Sequence, residues 1–147
     1  TYNLHIMVRY EIEKQLVNGN IAIGDLPEFW NSKMQEYLGV TPPNDTKGVL
    51  QDIHWSMGAI GYFPTYTLGN LYAAQLYAAA LADDLTITEK IAQGQFTVLL
   101  DWMRSHIHVH GSKWLPADLM TQATGKEPSS DAFVSYLQSK FTKIYGL

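Results

Sequence analysis

The chain has 147 residues, of which 46% are hydrophobic and 16% charged, and this composition predicts a single globular segment rather than a disordered protein. Its net charge of −4, without clusters of lysine and arginine, excludes a nucleic-acid partner, and no apolar run reaches the roughly 18 residues of a membrane span. Because there is no cysteine, disulfides and thiolate metal sites are excluded, which favours a cytoplasmic location.

Two helices are predicted in the first part of the chain. The first ends at residues 18–20, whose sequence Asn-Gly-Asn tolerates a positive φ. For the second, Asp25 is a typical N-cap of a helix over Leu26–Leu38, and Gly39 is a typical stop. The apolar face of the first helix recurs at helical spacing and consists of Leu4, Met7, Val8, Ile12 and Leu16.

The middle of the chain predicts further helices and no strand, since no stretch alternates with period two. Residues 41–48 contain two prolines and predict a loop, and residues 48–57 predict a short helix that is broken at Gly58. Longer helices are predicted over residues 65–82, where small side chains allow close packing, and over residues 88–108.

Two more helices complete the predicted fold, which is an all-α helical bundle. One covers Pro116–Thr124 and ends at Gly125, and the last begins after Ser130 as its N-cap. The helix over 88–108 and the last helix are each predicted to bury an apolar stripe. These stripes consist of Phe96, Leu99, Leu100, Met103 and Ile107, and of Phe133, Val134, Leu137, Phe141 and Ile144.

A histidine and two tyrosines lie close together in sequence after the short predicted helix. His54, Tyr62 and Tyr66 all carry groups that can donate hydrogen bonds, and Pro64 stiffens the turn between the tyrosines. Donors held in place stabilise the oxyanion that develops when an amide carbonyl is attacked. Semi-buried tyrosines and histidines also occur simply as structural residues, and spacing alone leaves both interpretations open.

Residues 48–55 read GVLQDIHW, which fits G-x-x-Q-D-x-H-W at every fixed position. This motif resembles that of the M32 family of metallocarboxypeptidases, the carboxypeptidase Taq family. Residues 8–13 (VRYEIE) are similar to the family's I-R-Y/F-E-L-E segment, with valine in place of isoleucine, and residues 61–75 resemble its next block. Residues 106–128 and 133–147 resemble its C-terminal region, so the resemblance spans essentially the whole chain.

The resemblance implies the C-terminal part of a larger, mostly helical zincin-type peptidase that releases single C-terminal amino acids from peptides. The family's H-E-x-x-H motif is missing here, as are its D-x-R-x-T, H-P-F and H-E-S-Q motifs. The resemblance implies zinc as the cofactor. Because the motif that binds it is missing here, its ligands are expected outside this chain, and the chain alone is expected to be inactive. Its expected partners are the C-termini of peptide substrates and the remainder of the parent chain. The chain begins within a predicted helix, which also indicates that it was cut from a longer parent.

The same resemblance implies roles for individual residues. His54 and Tyr66 are expected to bind the scissile carbonyl and its oxyanion, with Tyr62 nearby on the substrate backbone.

The remaining expected site residues lie on the substrate side. Arg9 is expected to bind the substrate carboxylate, because a guanidinium forms two charge-assisted hydrogen bonds with a carboxylate. Gln51 and Asp52 join this set as residues that orient His54 and fix its tautomer. The competing interpretation of Arg9 is an ion pair with Glu13, four residues further along the same helix.

Two other groups could be mistaken for sites. His106, His108 and His110 alternate with other residues, but a helix end is the favoured interpretation of this segment, and a zinc site is the minor alternative. Glu11 and Glu13 could act as paired carboxylates, yet residues two apart on a helix point apart, which favours a solvated or ion-paired role for both.

A function from another class also fits the sequence: a non-catalytic helical module that binds peptides or a protein partner. In either case, removal of a parent chain would uncover apolar side chains, first on the initial helix and then on the alanine-rich helix. Large exposed apolar patches tend to be covered, so the chain is predicted to self-associate, for example as a homodimer.

Overall fold

The computed structural model describes residues 1–147, and it contains helices and turns without a strand, which confirms the predicted all-α class. None of the helices has the length and apolarity that crossing a membrane would require. Short 3₁₀ turns lie at Ile23–Asp25, Asp45–Lys47, Val49–Gln51 and His108–His110. In chain order, the helices α1 to α8 are Tyr2–Val17, Leu26–Leu38, Ile53–Ser56, Pro64–Asp83, Ile87–Ala92, Thr97–His106, Pro116–Thr124 and Asp131–Tyr145.

Residues 1–68 form the first of two compact units, and α1 packs against α2 in it. Val8 and Ile12 are four residues apart, so they share one face of α1, and both are fully buried. They meet Trp30 and Met34, which are also four residues apart, on α2. The bounds predicted for α2 are correct, although the Asp25 side chain makes no capping hydrogen bond.

Residues 69–147 form the second compact unit, whose buried cluster contains Ala80, Ile87 and Trp102. Gln75 on α4 is the buried polar residue of this unit. Its amide nitrogen lies 3.0 Å from the Thr124 hydroxyl and its carbonyl oxygen accepts a hydrogen bond from the Ser129 backbone at 3.1 Å. One side chain therefore fixes the turn that follows α7.

The continuous helix predicted over residues 88–108 is wrong. Gly94 has a φ of +79°, so the chain turns there between α5 and α6. The buried residue of α6 is Trp102. Of the predicted stripe, Leu99 and Met103 pack against the buried cluster, whereas Phe96 and Leu100 are exposed by 63% and 41%.

The last helix has the predicted position but not the predicted burial. None of the residues of α8 is buried, and Val134, Phe141 and Ile144 are exposed by 45%, 40% and 59%. An apolar stripe in a sequence shows which face of a helix is hydrophobic, but not what covers that face. Ser130 occupies the N-cap position without making a side-chain capping bond.

Candidate active site

The side chain of Asp52 caps the short helix α3, which carries His54. Asp52 has extended backbone angles, and its Oδ1 accepts a hydrogen bond from the Trp55 backbone at 3.0 Å. The predicted helix over residues 48–57 is therefore divided into a 3₁₀ turn before Asp52 and the single turn of α3 after it. This cap fixes the start of α3, and His54 is the second residue of that helix.

The structure brings His54, Tyr62 and Tyr66 together. Nε2 of His54 lies 3.3 Å from the Tyr66 hydroxyl. The Tyr62 ring stacks on the imidazole with their centroids 5.7 Å apart, and its edge contact with the Tyr66 ring has centroids 5.5 Å apart. Tyr62 and Tyr66 are 53% and 36% exposed, so the cluster remains accessible from solvent.

Phe63 completes this aromatic cluster, and sequence reasoning did not single it out. Its ring lies edge-on to His54 with centroids 4.4 Å apart and also contacts Tyr66, at 5.2 Å. The guanidinium carbon of Arg9 lies 4.6 Å from the centroid of the Phe63 ring and 4.7 Å from that of Trp30. The arginine is thus held between two aromatic rings. The signal that could have identified Phe63 is its position in the same short aromatic segment as both tyrosines.

Arg9 lies beneath this cluster, where it pairs with Asp52. Its Nε donates to Asp52 Oδ2 at 2.6 Å, and its Nη1 donates to the His5 carbonyl at 3.0 Å. Arg9 is 9% exposed, and the Asp52 side chain is fully shielded from solvent. The ion pair between Arg9 and Glu13, which was the competing interpretation, does not form, and a direct contact of Arg9 with a substrate would use Nη2 or the second N–H of Nη1.

Asp52 also lies next to His54. Its Oδ1 is 3.7 Å from Nδ1 of the imidazole, and this nitrogen is buried without a hydrogen-bond partner. A proton on Nδ1 would face the carboxylate, so Asp52 favours the tautomer that carries it there. Gln51, by contrast, is exposed and donates to the Thr46 carbonyl, and the structure does not bring it to the imidazole.

The predicted environment of Glu13, solvated or ion-paired, is wrong. Glu13 is 5% exposed, and its carboxylate accepts hydrogen bonds from the Trp55 indole at 2.9 Å and from the Gly61 backbone at 3.1 Å. The interpretation as a solvated or ion-paired residue holds for Glu11, whose carboxylate lies 2.9 Å from the Lys33 ammonium.

The electrostatic environment keeps the Tyr66 hydroxyl in its protonated form. Desolvation raises the pKa of Tyr66 above its ordinary value, and the neighbouring Tyr62 raises this pKa further. A protonated phenol is a hydrogen-bond donor, so at neutral pH Tyr66 can offer its proton either to His54 or to a bound oxygen atom.

The residues of this chain do not form a metal site. No three histidine, cysteine, aspartate or glutamate side chains are grouped so that they could hold an ion. Of the three histidines near the end of α6, His106 stacks on Trp102 at 4.3 Å, and its Nδ1 lies 2.9 Å from the Trp102 carbonyl oxygen. His108 and His110 lie in the following 3₁₀ turn.

Comparison with known proteins identifies the family to which the chain belongs. The model of the carboxypeptidase Taq (M32) metallopeptidases matches residues 1–141. The chain belongs to this family. The resemblance of residues 48–55 to the carboxypeptidase Taq family is thereby confirmed.

Related carboxypeptidases match nearly all of the chain. It is 47% identical over 146 residues to thermostable carboxypeptidase 1 of Thermus thermophilus and 42% identical over 145 residues to carboxypeptidase 1 of Bacillus subtilis. In each comparison, 99% of this chain is covered and 29% of the relative. The crystal structure of an M32 carboxypeptidase from Deinococcus radiodurans superposes with a TM-score of 0.96 at 37% identity, over 99% of this chain and 30% of that one. The chain therefore spans less than a third of these relatives.

Proposed function

We propose that the chain is the C-terminal part of a zinc-dependent carboxypeptidase that removes single amino acids from the C-termini of peptides. Membership of the M32 family and the names of its relatives support this proposal. The zinc ion would be held by residues outside this chain, where it would activate the attacking water. What this chain would contribute is the wall of the cleft that binds the substrate carbonyl.

The observation that carries this proposal is the distance of 3.3 Å between His54 Nε2 and the Tyr66 hydroxyl, next to the stacked Tyr62. A hydroxyl rotates about its C–O bond, so Tyr66 can turn its proton from the imidazole towards the oxygen of a bound carbonyl. When both ring nitrogens of His54 are protonated, Nδ1–H faces Asp52 and Nε2–H becomes a second donor. Tyr62 would contact the substrate backbone beside them.

Arg9 and Asp52 would hold these donors in position. The buried ion pair fixes the carboxylate, which caps α3 and faces the imidazole. Placed in this way, Arg9 acts on His54 through Asp52, and its direct contact with a substrate carboxylate remains a prediction. The two roles predict different kinetics: loss of positioning lowers kcat, whereas loss of a carboxylate contact raises KM.

The proposal extends to the behaviour of the chain by itself. Because its residues form no metal site, the chain is expected to show no carboxypeptidase activity with added zinc. Peptide C-termini would be its substrates only when the zinc-binding part is present, in a cytoplasmic enzyme. Of the α1 residues expected to be uncovered, Met7 is exposed, but Val8 and Ile12 are buried against α2. The exposed Tyr2, Met7 and Tyr10 support the prediction that the chain alone self-associates, which light scattering across a concentration series would test.

Substitution of Tyr66 in the whole enzyme tests the proposed function. Tyr66→Phe removes one hydroxyl and keeps the ring, so kcat is expected to fall by about 10²–10³-fold, the loss that follows from removing one oxyanion donor. Tyr77→Phe is the matched control, because Tyr77 has a similar exposure of 37% and its hydroxyl lies 3.5 Å from that of Thr88.

An unchanged kcat in Tyr66→Phe would contradict the assignment of Tyr66. If, instead, the whole protein bound peptides without cleaving them, the alternative of a non-catalytic binding module would replace the proposal.

A further inference from the structure

Glu13 is a buried carboxylate to which the proposed chemistry gives no role. It is 5% exposed, and its two oxygens each accept one hydrogen bond, one from α3 and one from the turn that follows it. Oε1 accepts from the Trp55 indole at 2.9 Å, and Oε2 accepts from the Gly61 backbone at 3.1 Å. Hydrogen bonds to a buried ionised group are among the stronger ones in proteins, so both contacts hold their donors firmly.

The two donors are the direct chain neighbours of the stacked pair. Trp55 follows His54, and Gly61 precedes Tyr62. A single carboxylate therefore fixes the chain next to both rings, whose centroids lie 5.7 Å apart.

The other hydrogen bonds of the segment between these two donors are local. The Ala59 N–H donates to the His54 carbonyl at 2.8 Å and the Gly58 N–H to the Trp55 carbonyl at 3.0 Å, whereas Glu13 ties the segment to α1. Gly58 and Gly61 adopt φ angles of +72° and +79°, which glycine reaches without strain but which it also leaves easily. The side chains of Met57 and Ile60 are exposed by 65% and 53%, so burial does little to fix this turn. Without a carboxylate at position 13, the spacing between His54 and Tyr62 would depend on these local bonds within a glycine-rich surface turn.

We propose that Glu13 is a positioning residue that clamps residues 55–61 and thereby sets the spacing of His54 and Tyr62 at the active site. This inference rests on the proposed function, because it assigns Glu13 a part in holding the donors that face the substrate. Glu13 itself touches neither substrate nor metal in this assignment. It acts through the Trp55 indole and the Gly61 backbone.

The decisive variant is Glu13→Gln in the whole carboxypeptidase that contains this chain. Glutamine has nearly the same shape, but its NH₂ group is a donor and would face one of the two donors that the carboxylate accepts. One contact is then lost, and the segment shifts. Because a displacement of about 1 Å at reacting groups can cost about 10²-fold, we expect kcat to fall by about 10- to 100-fold with little change in KM.

Glu11→Gln is the matched control. Glu11 lies on the same helix two residues earlier and makes its contacts with Tyr37 and Lys33, outside the proposed site. We expect Glu11→Gln to leave kcat unchanged. If Glu11→Gln and Glu13→Gln lowered kcat equally, the effect would come from α1 in general, and the inference would be overturned.

Amide hydrogen exchange tests the clamp separately from the chemistry. The Gly61 backbone N–H is protected by its hydrogen bond to Glu13, and Glu13→Ala removes both accepting oxygens, so its exchange is expected to become at least about tenfold faster in Glu13→Ala. This result is expected whether or not the proposed function is correct. Unchanged exchange at Gly61 would overturn the clamp.

Trp55→Phe identifies the route by which Glu13 acts. This variant keeps an aromatic ring but removes the indole N–H that Glu13 accepts, so we expect a smaller loss in kcat. In the double variant with Glu13→Ala, the loss is expected to equal that of Glu13→Ala alone, because Glu13→Ala already removes the oxygen that accepts from the indole. Fully additive losses would contradict the route through Trp55.

The outcomes separate the two proposals. If Tyr66→Phe lowers kcat and Glu13→Gln does not, the proposed function stands and the role of Glu13 is overturned. If Tyr66→Phe leaves kcat unchanged while the exchange of Gly61 is accelerated in Glu13→Ala, the clamp is present but the donors it holds are not catalytic, and the proposed function fails.

Discussion

The segments around His54 and His106 contain similar side chains in different environments. Each imidazole stacks on an aromatic ring, with centroids 5.7 Å from Tyr62 in the first case and 4.3 Å from Trp102 in the second. Each also has a carboxylate oxygen near one ring nitrogen, at 3.7 Å and 3.9 Å respectively. By local composition, the two segments would be equally good candidates for a catalytic histidine.

The difference lies in the carboxylates. The Asp52 side chain is fully shielded from solvent and paired with Arg9, whereas the Asp83 side chain is 58% exposed. Water competes for an exposed carboxylate and weakens its effect on a neighbouring group. A histidine beside an acid is therefore not sufficient evidence of a site. What distinguishes His54 is the buried pair beneath it and the two tyrosines that converge on it.

The largest expected effect tests the buried pair. Asp52→Ala would leave the Arg9 guanidinium buried without its partner, so we expect the free energy of unfolding to fall by about 3–5 kcal/mol. Asp83→Ala loses a hydrogen bond from the Trp102 indole in a solvated setting and should cost about 1 kcal/mol. Urea unfolding followed by tryptophan fluorescence measures both values. Equal losses would show that the two acids are held alike.

The next prediction concerns activity. In the whole enzyme, His54→Ala is expected to lower kcat by about 10²–10³-fold, because it removes one donor and the contact that aligns Tyr66. His106→Ala is expected to leave kcat unchanged. Steady-state kinetics with a short peptide substrate compares them directly, and a loss of kcat in His106→Ala would remove the distinction between the two histidines.

A third prediction separates stability from activity in the second unit. Gln75→Ala removes the contacts that fix the turn after α7, so we expect a loss of about 1–3 kcal/mol in the free energy of unfolding and no change in kcat of the whole enzyme. Gln93→Ala is the control, since this exposed side chain bonds only to neighbours at the surface and should cost less than about 0.5 kcal/mol. A lower kcat in Gln75→Ala would show that buried polar contacts of both units support catalysis.

The smallest expected effect is a change in the pKa of Glu11, which lies outside both histidine segments. The hydroxyl of Tyr37, followed by Lys33, lowers the pKa of Glu11 below its ordinary value. Since the folded-state pKa is depressed, this contact stabilises the protein above the unfolded-state pKa, and the stabilisation is lost as the pH falls through the folded-state pKa.

Tyr37→Phe is therefore expected to raise the pKa of Glu11 towards its ordinary value. In an NMR titration of the side-chain carboxyl carbons, the variant should differ from the wild type only in the acidic range. A Glu11 pKa that does not move would show that the Tyr37 contact is not the main cause. Asp84, whose pKa is lowered chiefly by hydrogen bonds from Thr86, is the internal reference.

Local sequence signals were sufficient for much of the fold. The bounds of α2 and α7 were predicted correctly because a glycine ends each helix, and both glycines adopt positive φ angles, at Gly39 and Gly125. The motif in residues 48–55 likewise indicated His54, and the spacing of the tyrosines that follow it was compatible with the observed cluster.

Contacts between residues far apart in sequence were not predictable in the same way. The helical pattern gave Arg9 a local partner in Glu13, but each of these residues bonds to the segment after residue 51 instead. Nothing in the spacing of one helix indicates which distant donor or acceptor will lie against it. The buried face of α6 was predicted only in part, because the break at Gly94 starts a new helix: Leu99 and Met103 pack against the buried cluster, whereas Phe96 and Leu100 are exposed.

The polar contacts beneath the cluster also bear on the order in which the protein folds. They join α1 to the segment after residue 51 across 43 residues for Arg9 and Asp52, and across 42 and 48 residues for Glu13 with Trp55 and Gly61. Closing a chain loop of this length costs entropy before any such contact can form, so these bonds belong to the slow, non-local part of folding. Helices would therefore form before the aromatic cluster is assembled. In refolding after dilution from urea, the far-ultraviolet circular dichroism signal should recover before the tryptophan fluorescence.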